Sequence, residues 1–181
     1  MEDELHFLRE RVLELEAKVK FLESHPTIRA GLQGENVVAA IINGSRTSGN
    51  AAFDVTSPGG LRIEVKKSRL GAPNSRARTL RWQWGRILGV SGKKSYDFLV
   101  LVGDKDGRYL ALYRDQSGPY VFFCVPFLEL EPLMTNGDMS NTRSIALTSN
   151  PRAANRSAAR RLFSEYQTTA EELAERFSIA N

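Results

Sequence analysis

Apolar residues at the start of the chain recur at alternating intervals of three and four positions. The repeating positions are Leu5, Leu8, Val12, Leu15, Val19 and Leu22. This heptad spacing predicts a helix with one apolar seam, and a seam that alternates mainly valine with leucine favours a parallel two-stranded coiled coil. Three pairs of opposite charge flank the seam, namely Glu4 with Arg9, Arg11 with Glu16, and Lys18 with Glu23. Such pairs form across the interface of a parallel dimer, so we expect residues 1–25 to join two copies of the chain.

Three apolar residues outside the seam, Phe7, Leu13 and Phe21, leave a second interpretation open. They widen the apolar face, as in an amphipathic helix that packs against its own domain. The segment Ser24-His25-Pro26-Thr27 predicts the end of the helix, because proline disrupts a helix interior. It divides the chain into a helix of residues 1–25 and a main domain of residues 28–181.

The main domain alternates between helical and extended patterns. Helical patterns cover residues 34–44, 79–88, 153–166 and 170–177, and strand patterns cover residues 51–56, 61–68, 96–102, 108–114 and 119–125. The near-continuous apolar run of residues 96–102 predicts a central strand that is buried on both faces. Thr169 and Glu172 predict a capping box at the start of the last helix. We therefore expect an α/β domain in which helices flank a mixed sheet.

Composition narrows the class of protein. With 181 residues, of which 41% are hydrophobic, the chain is long enough for one domain with its own core. Its single cysteine, Cys124, lies in an apolar run and is interpreted as a core residue rather than a nucleophile. The acidic start, Met1-Glu2-Asp3-Glu4, and the lack of a long apolar run lead us to expect a soluble cytoplasmic protein with no membrane partner.

Histidine content excludes several kinds of active site. The only two histidines, His6 and His25, both precede the main domain. The main domain therefore has no histidine for a zinc site, a Ser-His-Asp triad or a Cys-His dyad. It also lacks the glycine-rich loops that bind nucleotide phosphates. An enzyme built on this domain would depend on carboxylates, lysine and a hard metal ion.

Carboxylates and a lysine are placed to meet around one predicted hairpin. Strand alternation puts Glu64 and Lys66 on the same face. A loop of two or four residues would put Asp54 on the opposite face from Glu64, whereas a loop of three residues pairs them. The sequence Pro58-Gly59-Gly60 favours three residues, because proline suits a type I turn and the last glycine suits a left-handed bulge. Adjacent carboxylates repel unless a divalent cation lies between them, and Lys66 could then stabilise charge on a phosphate.

The order of these groups resembles a known nuclease motif. Glu35, then Asp54, then Glu64-Val65-Lys66 is similar to the motif of the PD-(D/E)XK nuclease superfamily, whose members share the restriction-endonuclease-like fold. The resemblance covers about residues 30–125. Phe53 stands where the motif has its proline, at a position that varies in the family.

The resemblance implies roles for four residues. Asp54 and Glu64 would be ligands of Mg²⁺, with Mn²⁺ as a substitute. Lys66 would orient the attacking water or stabilise charge. Glu35 borders the inward-facing stripe of the first helix of the main domain and would be an accessory ligand. The alternative is an exposed strand with a Glu/Lys pair beside an unrelated aspartate.

Positive charge is concentrated around this motif. Residues 56–95 contain ten basic side chains and one acidic one, a net charge of +9, whereas the whole chain carries +4 and residues 1–28 carry −3. Such a concentration indicates binding to a polyanion such as double-stranded DNA, with strong salt dependence. The residues that we expect to contact DNA are Arg69, Asn74, Arg76, Arg78, Arg81 and Arg86.

Other residues near this stretch have less specific interpretations. Lys93 and Lys94 are expected to be solvated surface residues. Trp82 and Trp84 should point in nearly opposite directions if residues 79–88 are helical, so that only one of them is in the core. Arg152, Arg156 and Arg160 recur every four residues, which on a helix makes either a second basic stripe or an ordinary solvated face.

Together these features predict a Mg²⁺-dependent endonuclease that hydrolyses both strands of DNA as a homodimer. Because a two-fold dimer presents two identical sites, we expect restriction-type cleavage at a symmetric sequence. One alternative is a structure-selective nuclease such as a junction resolvase. The other is a non-catalytic, dimeric DNA-binding protein whose carboxylates are structural.

Overall fold

A computed structural model of the chain describes residues 2–48, 51–89, 94–137 and 140–178. Its α-helices are α1 (Glu2–Ser24), α2 (Pro26–Ile41), α3 (Ser157–Arg161) and α4 (Ala170–Phe177). Its strands are β1 (Ser45–Arg46), β2 (Val55–Thr56), β3 (Arg62–Ser68), β4 (Arg81–Trp84), β5 (Phe98–Asp104), β6 (Tyr120–Pro126), β7 (Thr135–Gly137), β8 (Ser140–Thr148) and β9 (Gln167–Thr168). The protein is mixed α/β, as the sequence predicts.

Six strands form one mixed sheet in the order β1-β2-β3-β5-β6-β9. Only β3 and β5 run parallel, and the remaining neighbours are antiparallel. The strand β5 lies at the centre, and residues Leu99 to Val102 are fully buried. The prediction of a central strand buried on both faces is confirmed, because helices cover one face of the sheet and a second sheet covers the other.

The layer over one face consists of α2 and α4. Val38 and Ile42 from the α2 segment pack with Leu173 and Phe177 of α4 over the sheet. Gly34 lets α2 approach β3 closely, because a Cβ atom there would lie 2.8 Å from the Cβ of Lys67. The capping box of Thr169 and Glu172 at the start of α4 is also confirmed. Cys124 lies in this same apolar layer, as predicted.

The layer over the other face is a three-stranded sheet of order β4-β8-β7. Here the prediction of a helix over residues 79–88 is wrong, because residues 81–84 form the strand β4. Trp82 and Trp84 point to the same side and are both buried, which corrects the expectation that only one of them is in the core. Their indole groups donate hydrogen bonds to the carbonyls of Asp104 and Val102, at 2.9 and 3.0 Å. Apolar residues at alternate positions, each with a partner for its N–H, fit a strand better than a helix.

Three further predictions differ from the structure. Residues 108–114 are not a strand but contain a 3₁₀ turn at Leu110–Leu112. The helix expected over 153–166 is reduced to α3 and a π-helical turn at Leu162–Tyr166. Arg152 lies in a separate 3₁₀ turn and Arg156 precedes α3, so these arginines and Arg160 do not share one helix face.

The first helix, α1, presents its apolar seam to solvent. Leu5, Leu8, Val12, Leu15 and Val19 are each between 47% and 53% exposed. The described part of the main domain therefore does not cover the seam, in contrast to the second interpretation of this helix. The side chains of Lys18, Phe21, Leu22 and Glu23 lie outside the described residues. The helix ends at Ser24, and α2 begins at Pro26, where a break is predicted.

Within the described ranges, the helices are all too short or too polar to cross a lipid bilayer.

Candidate active site

The hairpin of β2 and β3 has the register that the three-residue loop predicts. Val55 lies opposite Ile63 and Thr56 opposite Arg62, which sets Asp54 opposite Glu64. The backbone N–H of Ser57 donates to the carbonyl of Leu61 at 2.9 Å, and Gly60 has a φ of +83°. Glycine adopts this left-handed conformation without strain, so the Gly60 position fixes the length of the loop.

Asp54 terminates the pairing of the two strands. Its backbone N–H donates to the carbonyl of Ile63 at 3.0 Å, and its carboxylate oxygen Oδ2 accepts a hydrogen bond from the N–H of Val65 at 2.9 Å. The carboxylate thereby takes the place of a backbone carbonyl as the acceptor for Val65 of β3. It is held directly before β2 begins at Val55, and 19% of the side chain remains exposed.

Glu64 is completely buried and is neutralised by two lysines. The Nζ atom of Lys66 lies 2.6 Å from its Oε1 atom, and both side chains project from the same face of β3, as the alternation predicts. The Nζ atom of Lys94 lies 2.6 Å from each of the two carboxylate oxygens. A buried carboxylate is costly unless it is paired, so the two ammonium groups are what allow Glu64 to lie in the interior.

Lys94 is the principal residue that sequence reasoning misses. Its Nζ atom also lies 3.9 Å from Oδ1 of Asp54, so a single ammonium group contacts both carboxylates of the motif. The expectation that Lys94 is a solvated surface residue is therefore wrong, while Lys93 lies outside the described residues. The one signal in the sequence is that Lys94 lies just before the apolar run of residues 96–102, but its contact with Glu64 spans 30 positions.

Backbone contacts hold Lys94 in this position. Its N–H donates to the carbonyl of Leu88 at 3.1 Å, and its aliphatic stem runs past Gly89. The hydroxyl of Tyr96 donates to the carbonyl of Ile87 at 2.9 Å and fixes the turn below the lysine. Burial, and then the negative charges of Glu64 and Asp54, raise the pKa of the Tyr96 phenol, so this hydroxyl stays protonated and keeps donating.

Glu35 lies beside the site but is paired elsewhere. Its Oε2 atom is 3.1 Å from Nη2 of Arg46, and Arg46 also donates to Asn36 at 3.0 Å. Burial, followed by the negative charge of Asp54, raises the pKa of the Glu35 carboxyl above its usual value, against the opposing effect of Arg46. Asp54, Glu64 and Glu35 do not form a three-carboxylate cluster, and the described residues contain no group of three acidic, histidine or cysteine side chains arranged to hold a metal ion.

The site therefore consists of two carboxylates and two ammonium groups. Two carboxylates from opposite strands provide oxygen ligands of the kind that Mg²⁺ prefers, and Mg²⁺ usually keeps several waters beside one or two such ligands. Lys94 shows that a positive charge fits between the two carboxylates, because its ammonium group contacts both of them. The residues present are thus suited to a divalent ion at the place that the lysine occupies.

The residues expected to contact DNA lie at or near the surface. Arg69, Asn74, Arg76, Arg78 and Arg86 are exposed, and Arg81 is partly buried. Among the described residues, no carboxylate forms an ion pair with any of the five arginines of this set. Oδ1 of Asn74 accepts a hydrogen bond from the N–H of Arg76 at 3.0 Å, which closes a turn in the loop between β3 and β4. Gln83, on the outward face of β4, is exposed.

No protein-family model matches the chain, and no curated protein is significantly similar to it.

Proposed function

We propose that the protein is a Mg²⁺-dependent endonuclease that hydrolyses double-stranded DNA as a homodimer, with a restriction-endonuclease-like fold. The observation that carries the proposal is the pairing of Asp54 with Glu64 across the hairpin, with Lys66 projecting beside Glu64. The register is specific, because a loop shorter or longer by one residue would separate the carboxylates. The mixed sheet, covered by α2 next to β3, is compatible with this class of fold.

In this proposal Asp54 and Glu64 hold the metal ion. A Mg²⁺ ion held by these two carboxylates would supply positive charge for the scissile phosphate and would favour ionisation of the attacking water. Lys66 lies on the same face of β3 as Glu64 and supplies positive charge for the phosphate as negative charge develops on its oxygens. Water gives up one proton to solvent as it forms a bond to phosphorus, the bond from phosphorus to one sugar oxygen breaks, and the leaving oxygen takes a proton from solvent. Glu35 stays paired with Arg46 and orders the edge of the site.

Binding to DNA is supported by the surface arginines. None of the five arginines forms an ion pair with a carboxylate of the described residues. The positive charges of these arginines can therefore neutralise DNA phosphates and release counterions. They lie in the same stretch of sequence as Glu64 and Lys66. We propose that they bind the phosphates of the DNA that is cleaved at this site.

The homodimer is supported by α1. Its seam residues are about half exposed, and its flanking charges complement those of a second parallel copy. A coiled coil of this helix would cover the seam and bring two sites to one duplex. Two sites related by two-fold symmetry suit cleavage of both strands, which we propose to be restriction-type.

The test is cleavage of supercoiled plasmid DNA in the presence and absence of Mg²⁺. We expect nicked and linear products with Mg²⁺ or Mn²⁺ and none in EDTA. Glu64→Gln and Lys66→Met should reduce the rate by about 10²-fold or more, because the first removes the charge of a proposed metal ligand and the second removes positive charge beside the phosphate. Glu171→Gln, an exposed change on α4, is the matched control and should cleave at the normal rate.

Three results would contradict or change the proposal. Cleavage that is undiminished in Glu64→Gln would contradict the assigned site. Binding of DNA without nicking in either metal would favour the non-catalytic protein, in which Asp54 serves only to bond Val65 and Glu64 only to pair with lysines. Preference for branched over linear duplexes would instead indicate a junction resolvase.

A further inference from the structure

We propose that Lys94 is an internal counter-cation that competes with the metal ion for Asp54 and Glu64, so that metal enters the site as the lysine leaves. This inference rests on the proposed function, since it concerns the same carboxylates. It assigns to Lys94 a role in controlling metal occupancy rather than a role as a surface residue.

The charge balance of the site supports competition. Asp54 and Glu64 carry two negative charges, and Lys66 and Lys94 carry two positive charges within 2.6 to 3.9 Å of them. The cluster is therefore neutral as it stands. Adding a divalent cation while both lysines remain would leave a net charge of +2 next to the fully buried Glu64. Uncompensated charge in the interior is unfavourable, so the cation and one ammonium group exclude each other.

The geometry indicates that Lys94 rather than Lys66 is the group displaced. Nζ of Lys66 lies 2.6 Å from Oε1 of Glu64, whereas Nζ of Lys94 lies 2.6 Å from both oxygens of Glu64 and 3.9 Å from Oδ1 of Asp54. The ammonium group of Lys94 is therefore at the position where a bridging metal ion would bind. Two cations cannot share that position, while Lys66 can keep its contact with Oε1 of Glu64.

The displaced ammonium group has a natural acceptor when DNA is bound. A phosphodiester group brings one negative charge to a site that the metal ion has made positive, and Lys94 can then contact the phosphate instead of Glu64. Metal and DNA should consequently bind with positive cooperativity, because each reduces the charge imbalance caused by the other. Without DNA, the lysine keeps the carboxylates paired and metal affinity low.

In the experiment, the full-length protein is titrated with Mn²⁺ alone, and electron paramagnetic resonance measures the concentration of the free ion. We expect Lys94→Met to bind Mn²⁺ at least about tenfold more tightly than the unmodified protein, because the competing charge is gone. Lys94→Met in combination with Glu64→Gln should lose this binding. Glu171→Gln should match the unmodified protein.

Thermal unfolding provides a second measurement for variants that fold poorly. Lys94→Met and Lys94→Gln leave Glu64 with one partner, so we expect a lower Tm without metal and a larger rise on adding Mn²⁺ than in the unmodified protein. Mn²⁺ affinity that is unchanged or weaker in Lys94→Met would overturn the inference, as would failure of both variants to fold even with Mn²⁺.

The outcomes separate this inference from the proposed function. Tighter Mn²⁺ binding by Lys94→Met, together with no cleavage of DNA by the unmodified protein, would support the counter-cation and refute the nuclease. Cleavage that depends on Glu64, together with unchanged Mn²⁺ affinity in Lys94→Met, would refute the counter-cation and leave the nuclease standing.

Discussion

The indole ring of Trp82 packs directly against the backbone of Gly103. A Cβ atom at Gly103 would lie 2.6 Å from Nε1 of the indole and 2.7 Å from its Cε2 atom. The glycine thus allows the three-stranded sheet to lie against the centre of the larger sheet. We expect Gly103→Ala to lower the free energy of unfolding by about 2 kcal/mol, because the ring must move and its hydrogen bond to Asp104 is disturbed.

Urea denaturation followed by tryptophan fluorescence measures this change. Gly107→Ala is the matched control, because Gly107 is exposed and a Cβ atom there meets nothing within 4 Å. Equal stability of the two variants would contradict the packing described for Trp82.

Asp106 should make stability depend on pH in the acid range. Its buried carboxylate accepts hydrogen bonds from Arg108, at 2.9 and 2.6 Å, and from Ser149 at 2.7 Å. These bonds, chiefly those from Arg108, lower its pKa from 3.8 to about 2. Because the pKa is lower in the folded state, the carboxylate stabilises the fold above about pH 4, and this contribution is lost as the pH falls through 2.

Asp106→Asn should therefore lower the free energy of unfolding by about 2 kcal/mol at pH 7. The measurement is urea denaturation of both proteins at several pH values from 7 to 2. We expect the difference between them to shrink below about pH 4. A difference that stays constant down to pH 2 would show that the ionised carboxylate is not responsible.

The proposed dimer depends on the seam of α1. Val12→Asp places a charge at the centre of the seam, and we expect it to convert the dimer to a monomer, because a buried unpaired carboxylate is unfavourable. Leu13→Asp is the matched control, since Leu13 lies outside the seam and is 65% exposed. Analytical ultracentrifugation measures the change. Dissociation by both variants, or by neither, would argue against the heptad interface.

The dimer should also be required for cutting both strands. In the plasmid assay, we expect monomeric Val12→Asp to give nicked circles and little linear product, while Leu13→Asp gives both. If a variant shown to be monomeric still produces a normal amount of linear plasmid, cleavage of both strands does not require the dimer that α1 is proposed to form.

The arginines of the loop between β3 and β4 should determine the salt dependence of DNA binding. Each phosphate contact that is removed lowers the slope of log affinity against log salt by about one. Arg76→Ala combined with Arg78→Ala should therefore lower the slope by about two, measured by fluorescence anisotropy with a labelled duplex. Arg29→Ala, an exposed change on α2, should leave the slope unchanged. An unchanged slope in the double variant would place the DNA surface elsewhere.

The sequence predicts the carboxylate pair because the relevant information is local. Asp54 and Glu64 are joined by one short hairpin, and Pro58 with Gly60 specifies its loop length. Loop length sets the register, and the register decides which side chains share a face. The relation between these residues can therefore be worked out without the remainder of the fold.

Lys94 and the tryptophans were not predictable in this way, because their positions depend on pairing between distant strands. Lys94 reaches Glu64 only because β3 and β5 lie side by side in parallel, which no local pattern specifies. The strand β4 pairs with β8, more than 60 residues away, and the polar start of β8 gives little strand signal. Tertiary pairing overrode the helical interpretation of residues 79–88.

The apolar layer that contains α2 is completed by Leu173 and Phe177 of α4. A growing polypeptide that has not yet been synthesised as far as Phe177 leaves Val38 and Ile42 uncovered on that side. The helix that carries Glu35 can then dock only weakly on β3, and the hairpin beneath it lacks its support. The apolar layer over β3 is therefore complete only after the ribosome has synthesised α4.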